Sequence, residues 1–234
     1  VDNNGVRYPT QDVNGIWVGD VKFKDLSGPD GTPDGKIDIY DQTYIGNPWP
    51  KLFGGFTNNF SYKGFDLSVL ITGTFGNDVY NYLAKRNSNP NNINLSQNLL
   101  VEALDYAKPI TNDLGDFVLA NPQTIIPRLS HGPNDNHARA TSRWVEDGSF
   151  LRVKNVSLTY HIPAAFLSKQ KLVRGAKATF GVQNIATITG YSGYDPEVGS
   201  YVGRDASATN QAIGLDFGRY PLTPIYSFSI GFDF

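Results

Sequence analysis

The final ten residues, 225–234, alternate between large apolar and small polar side chains. Successive side chains of a β-strand point to opposite faces, so this segment predicts a strand with one apolar face. In a soluble protein a second sheet would bury that face, whereas a transmembrane strand of about 9–11 residues would turn it toward lipid. The large residues on that face are Tyr226, Phe228, Ile230, Phe232 and Phe234.

The composition excludes several classes of function. A net charge of −2 at pH 7 gives no basic surface for nucleic acid. The absence of cysteine excludes a thiol nucleophile, a zinc–thiolate site and a disulfide-stapled domain. No run of about 18 apolar residues occurs, which excludes a transmembrane helix but not a transmembrane barrel. The chain starts at Val1 without a signal peptide, so we expect earlier parts of the product to precede it.

The clearest hairpin lies between residues 52 and 75. Leu52–Tyr62 and Phe65–Phe75 both alternate, and the dipeptide Lys63-Gly64 between them predicts a two-residue turn. Because alternate residues of a strand share a face, these two strands would have an apolar row on one face and a polar row, including Asp66, on the other. The side chains predicted to face outward are Phe56, Asn58, Phe60, Tyr62, Phe65, Leu67, Val69 and Ile71.

Three further segments predict strands, which gives about six strands with the hairpin and the final segment. They are Trp17–Lys24, Ser149–Tyr160 and Lys177–Asn184. In Ser149–Tyr160 the parity of the apolar residues changes partway, so we predict a β-bulge near Asn155. A helical turn is predicted at Ala165–Lys169.

Long polar segments separate these strands. Residues 77–143 and 186–222 are irregular in pattern, and an insertion as long as the first is uncommon in a compact domain unless it is functional. Within it, Leu95–Tyr106 has helical spacing of its apolar residues.

An acidic, glycine-rich stretch at 25–41 suggests a metal site. From Asp30 onward it fits the roughly twelve-residue calcium loop of EF-hands, with oxygen ligands at alternating positions and a glycine at the sharp turn. The predicted ligands are Asp30, Thr32, Asp34, the carbonyl of Lys36, Asp38 and Asp41. An acidic turn without metal is the alternative, because Thr32 and Asp41 depart from the usual ligands.

Several ordered motifs together resemble one family, the SusC/RagA TonB-dependent outer-membrane transporters of Bacteroidetes. They span nearly the whole chain apart from residues 1–15 and 85–140. The motifs are GDVKFKD at 19–25, DGKID at 34–38, TYIGNP at 43–48, FGGF at 53–56, FDL at 65–67, GTFGND at 73–78, WVEDGSFLRVKN at 144–155, QN at 183–184, TGYSGYDPE at 189–197, GLD at 214–216 and YP at 220–221. The terminal aromatic residue is also similar to the C-terminal signal of outer-membrane barrels.

The resemblance implies an all-β fold in which residues 1–234 are the C-terminal part of a barrel of about 22 strands, with the plug and earlier strands outside this chain. Residues 77–143 would then form a long extracellular loop. It also implies active import of oligosaccharides or peptides, energised through TonB, with a SusD-like surface lipoprotein as partner. The barrel would sit in the bacterial outer membrane, in contact with membrane lipid and lipopolysaccharide.

The residues on the polar face of each strand would line the solute path. The charged candidates are Arg152, Lys154 and Asp66, because a charged residue facing lipid at the bilayer midplane costs about 2–4 kcal/mol and should therefore point inward. No HExxH spacing or nucleophile elbow occurs, so we expect no enzyme activity. Two alternatives stay open: another outer-membrane barrel, such as a siderophore receptor or porin, and a soluble all-β glycan-binding or adhesin domain.

Overall fold

Strand-forming alternation governs the structure, a computed structural model that describes residues 10–11, 17–95, 98–129, 139–167, 172–201 and 212–234. The strands are β1 (Thr10–Gln11), β2 (Lys36–Ile37), β3 (Leu52–Tyr62), β4 (Phe65–Phe75), β5 (Asp78–Asn81), β6 (Pro109–Thr111), β7 (Phe117–Leu119), β8 (Val145–Asp147), β9 (Phe150–Ile162), β10 (Gly175–Thr189), β11 (Ser200–Tyr201), β12 (Ala212–Ile213), β13 (Leu215–Asp216) and β14 (Ile225–Asp233). The α-helices are α1 (Tyr82–Asn87) and α2 (Ala164–Leu167). Short 3-10 helices cover Ile39–Asp41, Pro90–Leu95, Val101–Asp105 and Ser142–Trp144.

The chain divides into two compact units. Unit 1 comprises residues 1–45 and 81–144, and unit 2 comprises residues 46–80 and 145–234. The long strands all belong to unit 2, whereas unit 1 contains short strands, α1 and 3-10 turns.

Unit 2 is built on a five-stranded antiparallel sheet in the order β14-β10-β9-β4-β3. The predicted hairpin is confirmed, because β3 and β4 pair along their whole length, from Leu52↔Phe75 to Tyr62↔Phe65. Lys63 and Gly64 connect them with φ of 46° and 84°. Two successive positive φ values are those of a type I′ turn, whose twist matches that of the flanking strands.

The register produces continuous rows across all five strands. Phe60, Leu67, Leu158, Phe180 and Phe228 form one row. The rings in this row stay open, with Phe60 58%, Phe180 48% and Phe228 69% exposed. The next row on the same face joins Tyr62, Phe65, Tyr160, Ala178 and Ile230. This apolar face is therefore exposed across the full width of the sheet.

The opposite face is polar. Its matching row joins Ser61, Asp66, Thr159, Thr179 and Ser229. The hydroxyl groups of Thr159 and Thr179 lie 2.8 Å apart and share a hydrogen bond. The two faces thus differ in chemistry, as the alternation in the sequence predicts.

The predicted bulge is also confirmed. Leu70 pairs with Asn155 but Ile71 pairs with Val153, so Lys154 is the extra residue of β9. β10 has its own irregularity at the same level, between Gln183 and Ala186. The extra residue returns Val153 to the apolar face that Val156 occupies on the other side of the bulge.

Two predictions about local structure are wrong. Trp17–Lys24 forms no strand; the Trp17 amide donates to the Asp20 carboxylate at 2.8 Å, and this local bond favours a turn over extended pairing. Leu95–Tyr106 is not an α-helix in its described part; it contains the 3-10 helix Val101–Asp105. Its helical spacing was too short to overcome the cost of helix nucleation.

Other boundaries shift by a few residues. β10 extends to Thr189, beyond the predicted end at Asn184. The helical turn predicted at Ala165–Lys169 is found as α2, which ends at Leu167; residues 168–171 lie outside the described residues. α1 was not predicted; its N-terminal cap is Asn81, whose side chain accepts a hydrogen bond from the Ala84 amide at 2.9 Å.

Unit 1 is held by a few long-range contacts. The rings of Trp17 and Phe117 lie 4.9 Å apart, and Arg128 forms an ion pair with the buried Asp20 at 2.8 Å. β6 and β7 form a small hairpin in the predicted long loop, which is thus partly ordered into short elements. In the part of the chain that the structure describes, no helix is long and apolar enough to cross a membrane.

Candidate functional site

The polar face of the sheet carries one fully buried charge, that of Arg152. Arg152 lies on β9 between Thr72 of β4 and Thr187 of β10, and it is 1% exposed. Its guanidinium donates to Asp195 at 2.6 Å, to Glu197 at 2.8 Å and to Thr187 at 2.9 Å. Because a buried cation is tolerated only when it is paired and hydrogen-bonded, this full set of acceptors explains how Arg152 is accommodated.

Asp195 connects that guanidinium to two parts of the backbone. Its carboxylate accepts hydrogen bonds from the amides of Leu222 at 3.0 Å and Glu197 at 2.9 Å. Burial by itself would raise the pKa of Asp195, but these amides and the Arg152 guanidinium together hold the pKa below its ordinary value. Asp195 therefore stays ionised and fastens the segment after β10 to the sheet.

A second buried pair lies in the same unit. The Tyr191 hydroxyl donates to Asp216 at 2.6 Å, and Asp216 is 1% exposed. The other Asp216 oxygen accepts from the amides of Gly218 at 2.8 Å and Arg219 at 3.2 Å. Burial, followed by the hydrogen bond to Asp216, raises the pKa of Tyr191, so this hydroxyl acts as a donor throughout the physiological range.

The three residues predicted to line the solute path occupy different surroundings. Arg152 uses its guanidinium on protein acceptors, as described. Lys154 is partly exposed, and its ammonium lies 3.3 Å from Glu197. Asp66 is half exposed and lies 2.7 Å from the imidazole of His161. Lys154 and Asp66 thus keep solvent-facing charge on the strands, and the path role of all three stays a prediction.

The predicted calcium ligands do not converge on one point. Within the described ranges, no group of three or more histidine or acidic side chains is placed to hold a metal ion. Several of the oxygens bond to backbone amides: Asp34 accepts from Lys36 at 3.0 Å and Asp38 from Tyr40 at 2.8 Å. Asp30 and Thr32 are exposed. Calcium binding at Asp30, Thr32, Asp34, Lys36, Asp38 and Asp41 stays a prediction.

Asp41 organises this acidic stretch. Its carboxylate accepts hydrogen bonds from Leu26 at 2.6 Å, Ser27 at 3.2 Å and Asp38 at 2.7 Å. The bond from the Asp38 amide, followed by that from Leu26, lowers the pKa of Asp41 below its ordinary value. One carboxylate thereby joins the two ends of the turn.

The sequence did not single out Asp195, Glu197 or Asp216 as functional. Asp195 and Glu197 lie in the loop after β10, and Asp216 ends the two-residue strand β13, so no alternating pattern long enough to place their side chains surrounds them. The available signal was Arg152 itself, since a charged residue on a strand of a regular sheet requires acceptors nearby.

No family model matches the chain. It is 32% identical over 216 residues to the TonB-dependent receptor P3 of Formosa agariphila, an alignment that covers 91% of this chain and 19% of that protein. It is 33% identical over 221 residues to the TonB-dependent receptor P26 of the same organism, covering 94% of this chain and 20% of that protein. Identity to the TonB-dependent receptor SusC of Bacteroides thetaiotaomicron is 24%, over 98% of this chain and 19% of that protein. The chain spans about a fifth of the length of the curated relatives it matches.

Two solved structures have a similar fold. A structure of the RagAB peptide transporter matches with a TM-score of 0.58 and 25% identity, over 78% of this chain and 17% of the solved chain. The RagAB peptide importer in its closed-closed state matches with a TM-score of 0.60 and 22% identity, over 88% and 20% respectively. These matches agree with the all-β fold described above.

Proposed function

Since this chain belongs to the SusC/RagA-like TonB-dependent transporters, we propose that it forms part of the wall of an importer that takes up oligosaccharides or peptides. The family places it in the bacterial outer membrane. Its relatives are receptors and transporters, which fits a protein without enzyme activity.

The two-faced sheet is the observation that carries this proposal. Its long strands, such as β14 with 9 residues and β3 and β4 with 11 each, have the length that a tilted strand needs to cross a bilayer. The apolar rows stay exposed, as a lipid-facing surface requires, and the other face is polar, as a water-filled lumen requires. A soluble sandwich would instead bury those aromatic rings beneath a second sheet.

The edges of the sheet support a closed barrel. β3 and β14 are the outer strands, and each is paired on one side only within the described sheet. Unpaired backbone groups are costly in hydrocarbon, so transmembrane sheets close on themselves. We therefore propose that further strands pair with β3 and β14 and complete a barrel of about 22 strands.

The partners follow from the same family. The sequence relatives are named as TonB-dependent receptors, which supports energisation through the TonB complex. A SusD-like lipoprotein is the proposed surface partner. The cargo has two candidates, peptides and oligosaccharides. The RagAB structures are those of a peptide transporter, whereas the sequence relatives are named without a cargo and so do not decide between the two.

Charge placed on each face tests the membrane orientation. Phe228→Arg puts a cation on the apolar face, where it costs about 2–4 kcal/mol if that face meets lipid at midplane. We expect much less assembled protein in outer-membrane fractions. Ser229→Arg, on the adjacent polar position of the same strand, is the matched control and should assemble normally. Equal assembly of the two variants would contradict the orientation.

Uptake measurements test the transport proposal and its rivals. A strain without the full-length protein should lose growth on one class of polymer fragments, oligosaccharide or peptide, and so should a strain without TonB. Growth that depends on this protein but not on TonB would favour a porin. Loss of iron uptake alone would favour a siderophore receptor.

A further inference from the structure

Unit 1 contains a cavity of about 840 Å³ whose lining combines apolar and cationic side chains. The apolar part includes the buried residues Ile37 and Trp144, at 3% and 8% exposure. The cationic lining residues are Lys22, Lys24, Arg139 and Arg143. A volume of this size lies in the range of about 300–1,000 Å³ that is typical of small-molecule sites.

Both arginines stack on aromatic rings. The Arg139 guanidinium lies 5.4 Å from the centre of the Phe23 ring, and the Arg143 guanidinium lies 4.6 Å from that of Trp144. Stacking on a ring engages one flat side of a guanidinium and leaves its in-plane N–H donors available for other acceptors. Each ring thus contacts one guanidinium among the residues that line the cavity.

Neither guanidinium is satisfied within the described part of the chain. No salt bridge or hydrogen bond joins the guanidinium of Arg139 or Arg143 to another described residue. The Glu102 carboxylate attracts the Arg143 guanidinium but forms no ion pair with it. This differs from Arg128 and Arg152, which both bind carboxylates directly.

The acidic residues of the cavity do not cancel this charge. Only Asp38 and Asp41 are acidic among the lining residues, against four cations. Asp41 accepts hydrogen bonds from three backbone amides and Asp38 from that of Tyr40, so their charge is already partly compensated. The cavity is thus net cationic with apolar walls.

We propose that this cavity binds a small organic anion, with a carboxylate held in the forks of Arg139 and Arg143 and its apolar or sugar framework against Ile37 and Trp144. A planar guanidinium matches a carboxylate with two parallel hydrogen bonds, which makes this pairing both strong and directional. The site does not rest on the transport proposal, because binding is measured without TonB or a membrane potential.

The experiment is calorimetric titration of the full-length protein in detergent with two acidic probes, triglutamate and trigalacturonate. Their counterparts without a carboxylate are triglutamine with an acetylated N-terminus and an amidated C-terminus, and trigalactose. We expect saturable binding of at least one acidic probe, weaker binding of its neutral counterpart, and weakening as salt screens the charges. The probe that binds more tightly distinguishes a peptide from a sugar framework. Absence of saturable binding by both acidic probes overturns the proposal.

Substitutions locate the binding in the cavity. Arg139→Gln and Arg143→Gln should each weaken the acidic probe about tenfold or more, as expected for loss of a charge-assisted pair. Lys108→Gln is the matched control, since it removes another cation stacked on a ring of unit 1, that of Tyr106, outside the cavity lining. If a glutamine variant fails to fold, Arg139→Lys and Arg143→Lys replace it in the test. They keep the positive charge but lose the paired N–H donors of the guanidinium, so we expect them to bind the acidic probe at intermediate strength. Unchanged affinity in both arginine positions would overturn the assignment.

Discussion

Different interactions stabilise unit 1 internally and the sheet of unit 2 internally. In the sheet, backbone pairing across five strands fixes every residue, and side chains follow from the register. In unit 1 the strands have two or three residues apart from the end of β5, and side chains bond to the backbone instead. Asn112, for example, accepts from the amides of Leu114 at 2.9 Å and Asp116 at 2.8 Å.

This difference shows where single substitutions should matter. A residue on the polar face of the ladder is supported by its neighbours on both sides, so an exposed change on that face is usually tolerated. A buried charge on the ladder, or a carboxylate that joins two loop ends, has no such support. The following predictions sharpen that comparison, from the largest expected effect to the smallest.

Arg152→Met tests the buried charge on the sheet. It leaves Asp195 buried without its cation, and breaking a buried pair in this way costs about 3–5 kcal/mol. We expect a correspondingly lower urea midpoint of the detergent-folded protein and faster proteolysis of residues 190–199. Lys154→Met removes a partly exposed bridge to the same Glu197 and should change stability by less than about 1 kcal/mol. Similar losses in both variants would contradict a special role for Arg152.

Gly64→Ala tests the turn that sets the hairpin register. Gly64 has φ of 84°, and a Cβ there would lie 3.3 Å from the His161 carbonyl oxygen. We expect a loss of about 1–2 kcal/mol, the cost of a left-handed residue with a side chain. Gly54→Ala, inside β3 with open space around its Cβ, should be neutral or slightly stabilising in the same urea titration. A larger loss at Gly54 would mean that the turn does not determine the register.

Asp41 tests the loop region through pH. Its pKa is lowered on folding, so its contribution is present above its unfolded pKa of about 4 and disappears as the pH falls through the folded value. We expect proteolysis at residues 25–41 to accelerate below about pH 4, and Asp41→Asn to show faster cleavage at neutral pH. The sheet should stay protected throughout.

The same assay tests the predicted calcium loop, with Asp30→Asn as the control. Asp30 is exposed, so its loss should leave the cleavage rate at neutral pH unchanged in the absence of calcium. If the ion binds, added calcium slows cleavage of the wild type and not of Asp30→Asn. If calcium changes neither rate, Asp41 alone accounts for the ordering of the loop.

The period of two predicted the sheet well because it is a local property. The hairpin, its turn and the bulge beside Asn155 could all be predicted, since each follows from how apolar and polar residues alternate locally. Trp17–Lys24 shows the limit of that property: alternation alone does not form a strand, and the Trp17 amide bonds to the Asp20 carboxylate in a turn. The prediction of a solute-lining Arg152 identified its face but not its two carboxylate acceptors, which lie more than 40 residues along the chain.

By itself the sequence determined which face of each long strand is apolar, where the hairpin turns and that an extra residue interrupts β9, because side-chain parity is set by covalent geometry. Only the tertiary structure decided which loop carboxylates reach Arg152, that Asp41 ties its own turn, and that Arg139 and Arg143 meet at one cavity. Those arrangements depend on loops whose ends are brought together by long-range packing, and no local period encodes them.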